Sequence, residues 1–142
     1  VMHTQFVGRK RVFLFSPENN DLLYKTPLNT YSVADFDNPD YEKFPGLKYA
    51  KGYDIMLEHG DTLFMPSGYW HHMQYMDSGF AMSLRAMPES IYGKLNALYH
   101  ILGLRGFNNM LIKVAPEWWY KYKRKIAYEN ADKAMRKLQS AA

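Results

Sequence analysis

The chain has 142 residues, a net charge of +4 and no cysteine. That length suits one domain, and the missing cysteine excludes disulfides and thiolate metal sites. No apolar run approaches the roughly 20 residues that span a bilayer, and no secretory leader pattern opens the chain, so the expected setting is cytoplasmic. Charge is uneven. Residues 113–142 hold eight basic and three acidic residues, while residues 1–112 are nearly balanced. The basic tail reads as a solvated helix face rather than a nucleic-acid surface.

In chain order, Met2–Val7 and Arg11–Phe15 read as strands joined at Gly8-Arg9. Val12 to Phe15 is continuously apolar, as in a strand covered on both faces. Ser16 and Pro17 suit the start of a short helical turn over Glu18–Leu23. Residues 24–52 are rich in Pro and Gly and read as a long loop, with one helical turn near Asp40–Lys43. Tyr53–Leu57 and Thr62–Met65 read as strands about a tight turn at Glu58–Asp61. Pro66 and Gly68 force a turn, and His71-His72 follows it. Trp70–Met76 and Phe80–Leu84 then suggest an antiparallel pair about Asp77-Ser78-Gly79. Pro88 ends this pattern. Glu89–Gly103 has helical spacing, with Gly103 and Gly106 as stops. Phe107–Val114 reads as a short helix and Pro116–Leu138 as a long one. In the last helix Trp118, Trp119, Tyr122, Ile126, Ala127, Ala131, Ala134 and Leu138 suggest one stripe.

Side-chain alternation sorts the candidates for chemistry. Lys10, Val12 and Leu14 share one face of their strand. A lysine among apolar strand residues is costly to bury unless a partner neutralises it; otherwise Lys10 belongs to a solvated Arg9-Lys10-Arg11 cluster. Val1, His3 and Gln5 share a face, and so do Ser83 and Arg85. His71 suits a metal ligand, since neutral imidazole binds iron well; otherwise it is a hydrogen-bonded strand histidine. His72 points to the opposite face. Arg85 either holds a carboxylate bidentately or bridges to Asp35 or Asp37. Asp35–Asp40 lacks the Gly and terminal Glu of an EF-hand loop.

Gly60, Pro66, Gly68 and His71, at their spacing, resemble the second conserved motif of cupin barrels, with Tyr75 where that motif has Asn. The segments 8–15 and 35–45 resemble parts of the JmjC-type, cupin-like dioxygenases. Among these, the chain is similar to the asparaginyl hydroxylase acting on hypoxia-inducible factor. The resemblance covers about residues 1–87. It implies a mainly β fold: the C-terminal part of a double-stranded β-helix (a cupin or jelly-roll barrel) over residues 1–87, then a helical extension over 88–142. It implies an Fe(II)- and 2-oxoglutarate-dependent hydroxylase acting on a small molecule or a protein. His71 would be a metal ligand, Lys10 would bind the distal carboxylate of 2-oxoglutarate, and His3 and Arg85 would line the co-substrate site. The 35–45 segment would lie near the site entrance, with Tyr31, Tyr41 and Tyr69 as candidate mouth residues. The family's His-x-Asp ligand pair would fall just upstream of Val1, so this chain is expected to be the C-terminal part of a longer protein and inactive by itself. The C-terminal helices, with the aromatic cluster Trp118-Trp119-Tyr120, would build a homodimer, as in several relatives, or else pack back onto the chain's own barrel. Two rivals stand beside this reading: a degenerate cupin that binds a small acid or sugar without turnover, and an interaction module working through its helices.

Overall fold

A computed structural model describes residues 1–28, 30–86 and 90–140. The chain divides into two compact units, Val1–Asn20 with Asp35–Ala86, and Asp21–Ala34 with Met87–Ala142. The first is built of strands and loops with two short 3-10 turns. Its six strands are β1 (Met2–Val7), β2 (Lys10–Phe15), β3 (Gly52–Leu57), β4 (Thr62–Phe64), β5 (Trp70–Tyr75) and β6 (Phe80–Leu84). They form two antiparallel three-stranded sheets, in the orders β4-β1-β6 and β3-β2-β5.

One expected pairing is absent. The strands β5 and β6 do not form a hairpin: β5 pairs with β2 and β6 pairs with β1. The Asp77-Ser78-Gly79 turn instead carries the chain from one sheet to the other, beside the Gly8-Arg9 link that does the same. The two corners are fastened together. The Arg9 guanidinium pairs with Asp77 at 2.7 Å, and the Met76 N–H donates to the Arg9 carbonyl. Glycines permit this approach. A Cβ on Gly79 would sit 2.1 Å from the Val7 carbonyl oxygen, and one on Gly8 (φ +74°) would sit 2.5 Å from that of Ser78. Both clashes are with backbone, which cannot rotate aside. Gly79→Ala is therefore expected to destabilise the protein by about 1–3 kcal/mol, the usual cost of overpacking, or more. Urea unfolding measures this, and an unchanged midpoint would contradict the corner packing.

Alternation works as anticipated in the two central strands. Along β1, His3 and Gln5 are buried; along β2, Lys10, Val12 and Leu14 are. Val12 is fully buried, and with Leu14, Leu57 and Met65 it forms part of the apolar core. Each such side chain contributes about 1.5–3 kcal/mol by leaving water. On the other face of β2, Phe13 stacks with His72 and Phe15 packs at a tilt against Trp70, the residues directly opposite them in β5. The loop after Asp35 covers this outer face. Phe36 packs 4.6 Å from the Trp70 ring, and Asp37 accepts a hydrogen bond from His72 at 2.8 Å.

Local elements differ from expectation where short-range bonds compete. The turn after Ser16 is a 3-10 helix of Pro17–Asn19 only, because the Asn19 side chain turns back to the Ser16 hydroxyl. The helical turn in the loop lies at Pro45–Lys48, while Asp40 accepts backbone N–H groups of Glu42 and Lys43 and holds a plain turn.

The second unit carries α1 (Ile91–Leu98), a π-helical segment (Tyr99–Leu104), α2 (Arg105–Val114) and α3 (Pro116–Ser140). Gly103 and Gly106 do not stop the helix. Gly103 sits inside the π turn, a wider coil that absorbs an extra residue, and the break comes at Ala115 instead, where φ is −144°. Pro88 and Glu89 lie outside the described residues. The buried stripe of α3 is Trp119, Lys123, Ala127 and Ala131, whereas Trp118, Tyr122 and Leu138 are exposed. The segment Asp21–Ala34 belongs to this unit, with Leu22, Leu23 and Tyr24 buried and Tyr24 edge-on to Tyr128.

Candidate functional site

Residues opposite one another in an antiparallel pair share a face. Lys10 faces Tyr75, Val12 faces Met73 and Leu14 faces His71 across β2 and β5. His71 therefore stands on the same inner face as Lys10, delivered there by the turn at Pro66–Gly68, where Gly68 takes φ +83°. In the other sheet His3 faces Ser83. The two inner faces meet: Lys10 Nζ is 3.2 Å from His3 Nε2, and His3 Nδ1 is 2.7 Å from Ser83 Oγ. Only an acceptor nitrogen suits an ammonium, so Nε2 accepts from Lys10 and the Nδ1–H donates to Ser83.

Lys10 is 4% exposed. Its neighbours are the His3 ring and the Tyr75 ring, whose centroid lies 4.6 Å from Nζ. Among the described residues no carboxylate pairs with it, and burial lowers its pKa. Tyr75, at the place of the cupin motif's Asn, thus has a role that the sequence did not disclose. Nearby, Gln5 is 2% exposed and its Oε1 has no partner. The face therefore holds a buried cation and an unsatisfied acceptor, an arrangement that invites a polar ligand.

His71 keeps solvent access, but enough protein surrounds its ring to lower its pKa, first by desolvation and then by the nearby Arg85 charge. The His3 pKa is lowered too, by burial first and then by Lys10 and His71. Both imidazoles are thus held neutral, the form that binds metal. An unfolded histidine titrates near 6.5, so below about pH 6.5 the unfolded chain binds more protons than the folded one. Stability is present above that value and declines as pH falls through it. Thermal unfolding from pH 7.5 to 5 is expected to show this decline, and His3→Gln to flatten it.

Arg85 is exposed and affects His71 electrostatically. Neither expected carboxylate bridges to it: Asp37 holds His72, and Asp35 accepts the backbone N–H groups of Asp37 and Asn38. His72 lies on the outer face, as alternation requires. The loop after Asp35 also lies there and not on the face of Lys10 and His71, so it does not flank this site within the unit. Tyr41 lines a cavity of about 400 Å³ on that outer face with Arg11, Asp54 and Phe36. Tyr31 lines a cavity in the helical unit. Tyr69 is half-buried. For a metal, the donor chemistry fits in part. Of the two neutral imidazoles on the inner faces, His3 has both ring nitrogens bonded and His71 is the candidate ligand, but among the described residues no three His, Asp or Glu side chains gather.

Two antiparallel sheets with a histidine and a buried lysine on the shared inner face define a cupin-type domain. A sequence model described as "Cupin-like domain" matches residues 2–124, and the chain belongs to that family. Its relatives include JmjC-domain proteins. It is 39% identical over 92 residues to tRNA wybutosine-synthesizing protein 5 of Gallus gallus, covering 63% of this chain and 29% of that protein. It is 37% identical over 83 residues to JmjC domain-containing protein D of Dictyostelium discoideum, covering 55% and 18%. It is 35% identical over 78 residues to human HSPB1-associated protein 1, covering 51% and 16%. The chain thus spans less than a third of the length of these relatives. No helix among the described residues is long and apolar enough to cross a membrane.

Proposed function

We propose that the intact protein is an Fe(II)- and 2-oxoglutarate-dependent oxygenase, acting in the cytoplasm on a small molecule or a protein side chain. The observation that carries this reading is Lys10, a buried ammonium with no carboxylate partner among the described residues, on the face that also bears His71. A small dicarboxylate is the partner that such a cation lacks. In this reading His71 is one iron ligand, and the remaining ligands come from residues outside this chain. Iron with 2-oxoglutarate would supply the oxidising power, converting oxygen and 2-oxoglutarate to carbon dioxide and succinate as one oxygen atom enters the substrate.

The chain's own residues bind and orient. Lys10 donates to the far carboxylate of the co-substrate, and its bond to His3 fixes where the ammonium points. Ser83 holds the His3 tautomer. The lowered His71 pKa keeps its nitrogen lone pair free below neutral pH. Arg85, exposed beside His71, attracts anionic groups to the mouth.

The test is succinate formation by the intact protein, loaded anaerobically with Fe(II) and then given oxygen and 2-oxoglutarate. Iron-dependent succinate supports the reading. A folded, iron-loaded protein that neither binds 2-oxoglutarate nor forms succinate overturns it and leaves a binding or scaffold role. We also propose a homodimer built by the helices. Ile91, Leu95, Leu98, Leu102, Phe107 and Met110 are all more than 45% exposed, an apolar surface of the kind a second copy covers. Sedimentation equilibrium should give a dimer, and Leu95→Asp with Leu102→Asp a monomer.

A further inference from the structure

The helical unit holds a second buried cation, with no counter-charge among the described residues. Lys123 is 3% exposed, in the middle of the buried stripe of α3. Its ammonium donates to Asn108 Oδ1 at 3.1 Å, the same oxygen that accepts the Trp119 indole N–H at 3.0 Å. It also lies 4.9 Å from the centroid of Tyr120 and 5.5 Å from that of Trp119. All these partners are neutral, and among the described residues no carboxylate is within ion-pair distance. Packing alone does not require a lysine here, since its stripe neighbours are Trp and Ala, and an apolar side chain would avoid the desolvation cost.

Lys123 is part of the wall of a cavity of about 520 Å³, together with Lys121, Arg124, Tyr31 and Tyr120. The volume is in the range of small-molecule sites. Lys121 and Arg124 are exposed, so one buried and two exposed basic residues line a single concavity. Three cations exceed what one carboxylate needs and match a phosphoryl dianion, whose three terminal oxygens accept several charge-assisted bonds at once. The two tyrosines supply aromatic surface beside it.

We propose that this cavity binds a small phosphate monoester, with Lys123 as the inner cation and Lys121 and Arg124 as the outer ones. A nucleic-acid backbone would be met by Lys121 and Arg124 but not by a cation as enclosed as Lys123. The site does not depend on the oxygenase reading, because it shares no residue with the Lys10 and His71 face.

The test is calorimetric titration of the intact protein with inorganic phosphate, with phenyl phosphate and with a single-stranded oligonucleotide. Saturable binding of one phosphate or phenyl phosphate per chain is expected, weakened at least about tenfold by Lys123→Met and by Lys121→Ala with Arg124→Ala. Lys123→Met keeps an apolar chain of similar length and leaves Asn108 bonded to Trp119, so the ligand-free protein should melt at the same temperature or higher. The exposed pair Lys121 and Arg124 carries the test alone if Lys123→Met does not fold. Three results overturn the proposal: no phosphate or phenyl phosphate binding up to about 10 mM, undiminished binding in the variants, or binding of the oligonucleotide without either small anion.

Discussion

His71→Ala is expected to remove iron-dependent succinate formation by the intact protein. The loss should reach about a hundred-fold or more, since even partners that merely support a ligand cost 10–100-fold when removed. The fold gives the reason. His71 stands opposite Leu14 on the inner face, and its depressed pKa leaves the ring nitrogen unprotonated. Because the residue keeps solvent access, its removal opens no large core cavity, so the melting temperature should change little. Iron content measured on the purified variant separates the two links of the argument. Low iron and no succinate fit a ligand. Full iron with unaltered turnover would sink that assignment and leave His71 a strand histidine.

Lys10→Met is the second large effect, and it falls on 2-oxoglutarate and not on iron. Taking away one partner of a buried charge pair costs about 2–5 kcal/mol, which is roughly thirty-fold or more in Kd. The KM for 2-oxoglutarate should rise accordingly while iron binding is retained. Without co-substrate, two terms oppose each other. The variant no longer buries an ammonium, but His3 Nε2 loses the donor it accepts from at 3.2 Å. Ligand-free stability should therefore shift far less than co-substrate affinity. An unchanged KM would mean that Lys10 serves the His3–Ser83 network alone.

How far the sequence discloses such a site depends on the kind of information. Alternation grouped Lys10 with Val12 and Leu14 on one face of β2, and His3 with Gln5 on one face of β1, but which of the two faces is buried came from the resemblance and not from the period. The glycine-proline-glycine spacing located the turn before His71. Partners were another matter. Asp77-Ser78-Gly79 has the composition of a hairpin turn, and nothing local distinguishes a hairpin from a corner that changes sheets. That difference lies in contacts with Val7 and Arg9, some seventy residues away. The helical glycines misled for a related reason: Gly103 was accommodated by a π turn. Lys123 was missed because a lysine four residues after a tryptophan on a basic helix looks solvated. Its burial becomes apparent only when α2 brings Asn108 to it.

The way the chain alternates between sheets has a kinetic consequence. Among the described residues, β2 and β3 are the only consecutive strands that pair, and residues 16–51 lie between them. Every other pairing joins strands still farther apart in order, such as Met2 with Leu84. In the β unit no local hairpin can therefore act as a nucleus, and each ladder must first close a long loop at an entropic cost. Folding of the β unit should accordingly be slow, in the range of milliseconds to seconds typical of all-β topologies. The helices, whose bonds are local, should form first. A newly made chain would then hold helix before it holds the face that carries Lys10 and His71.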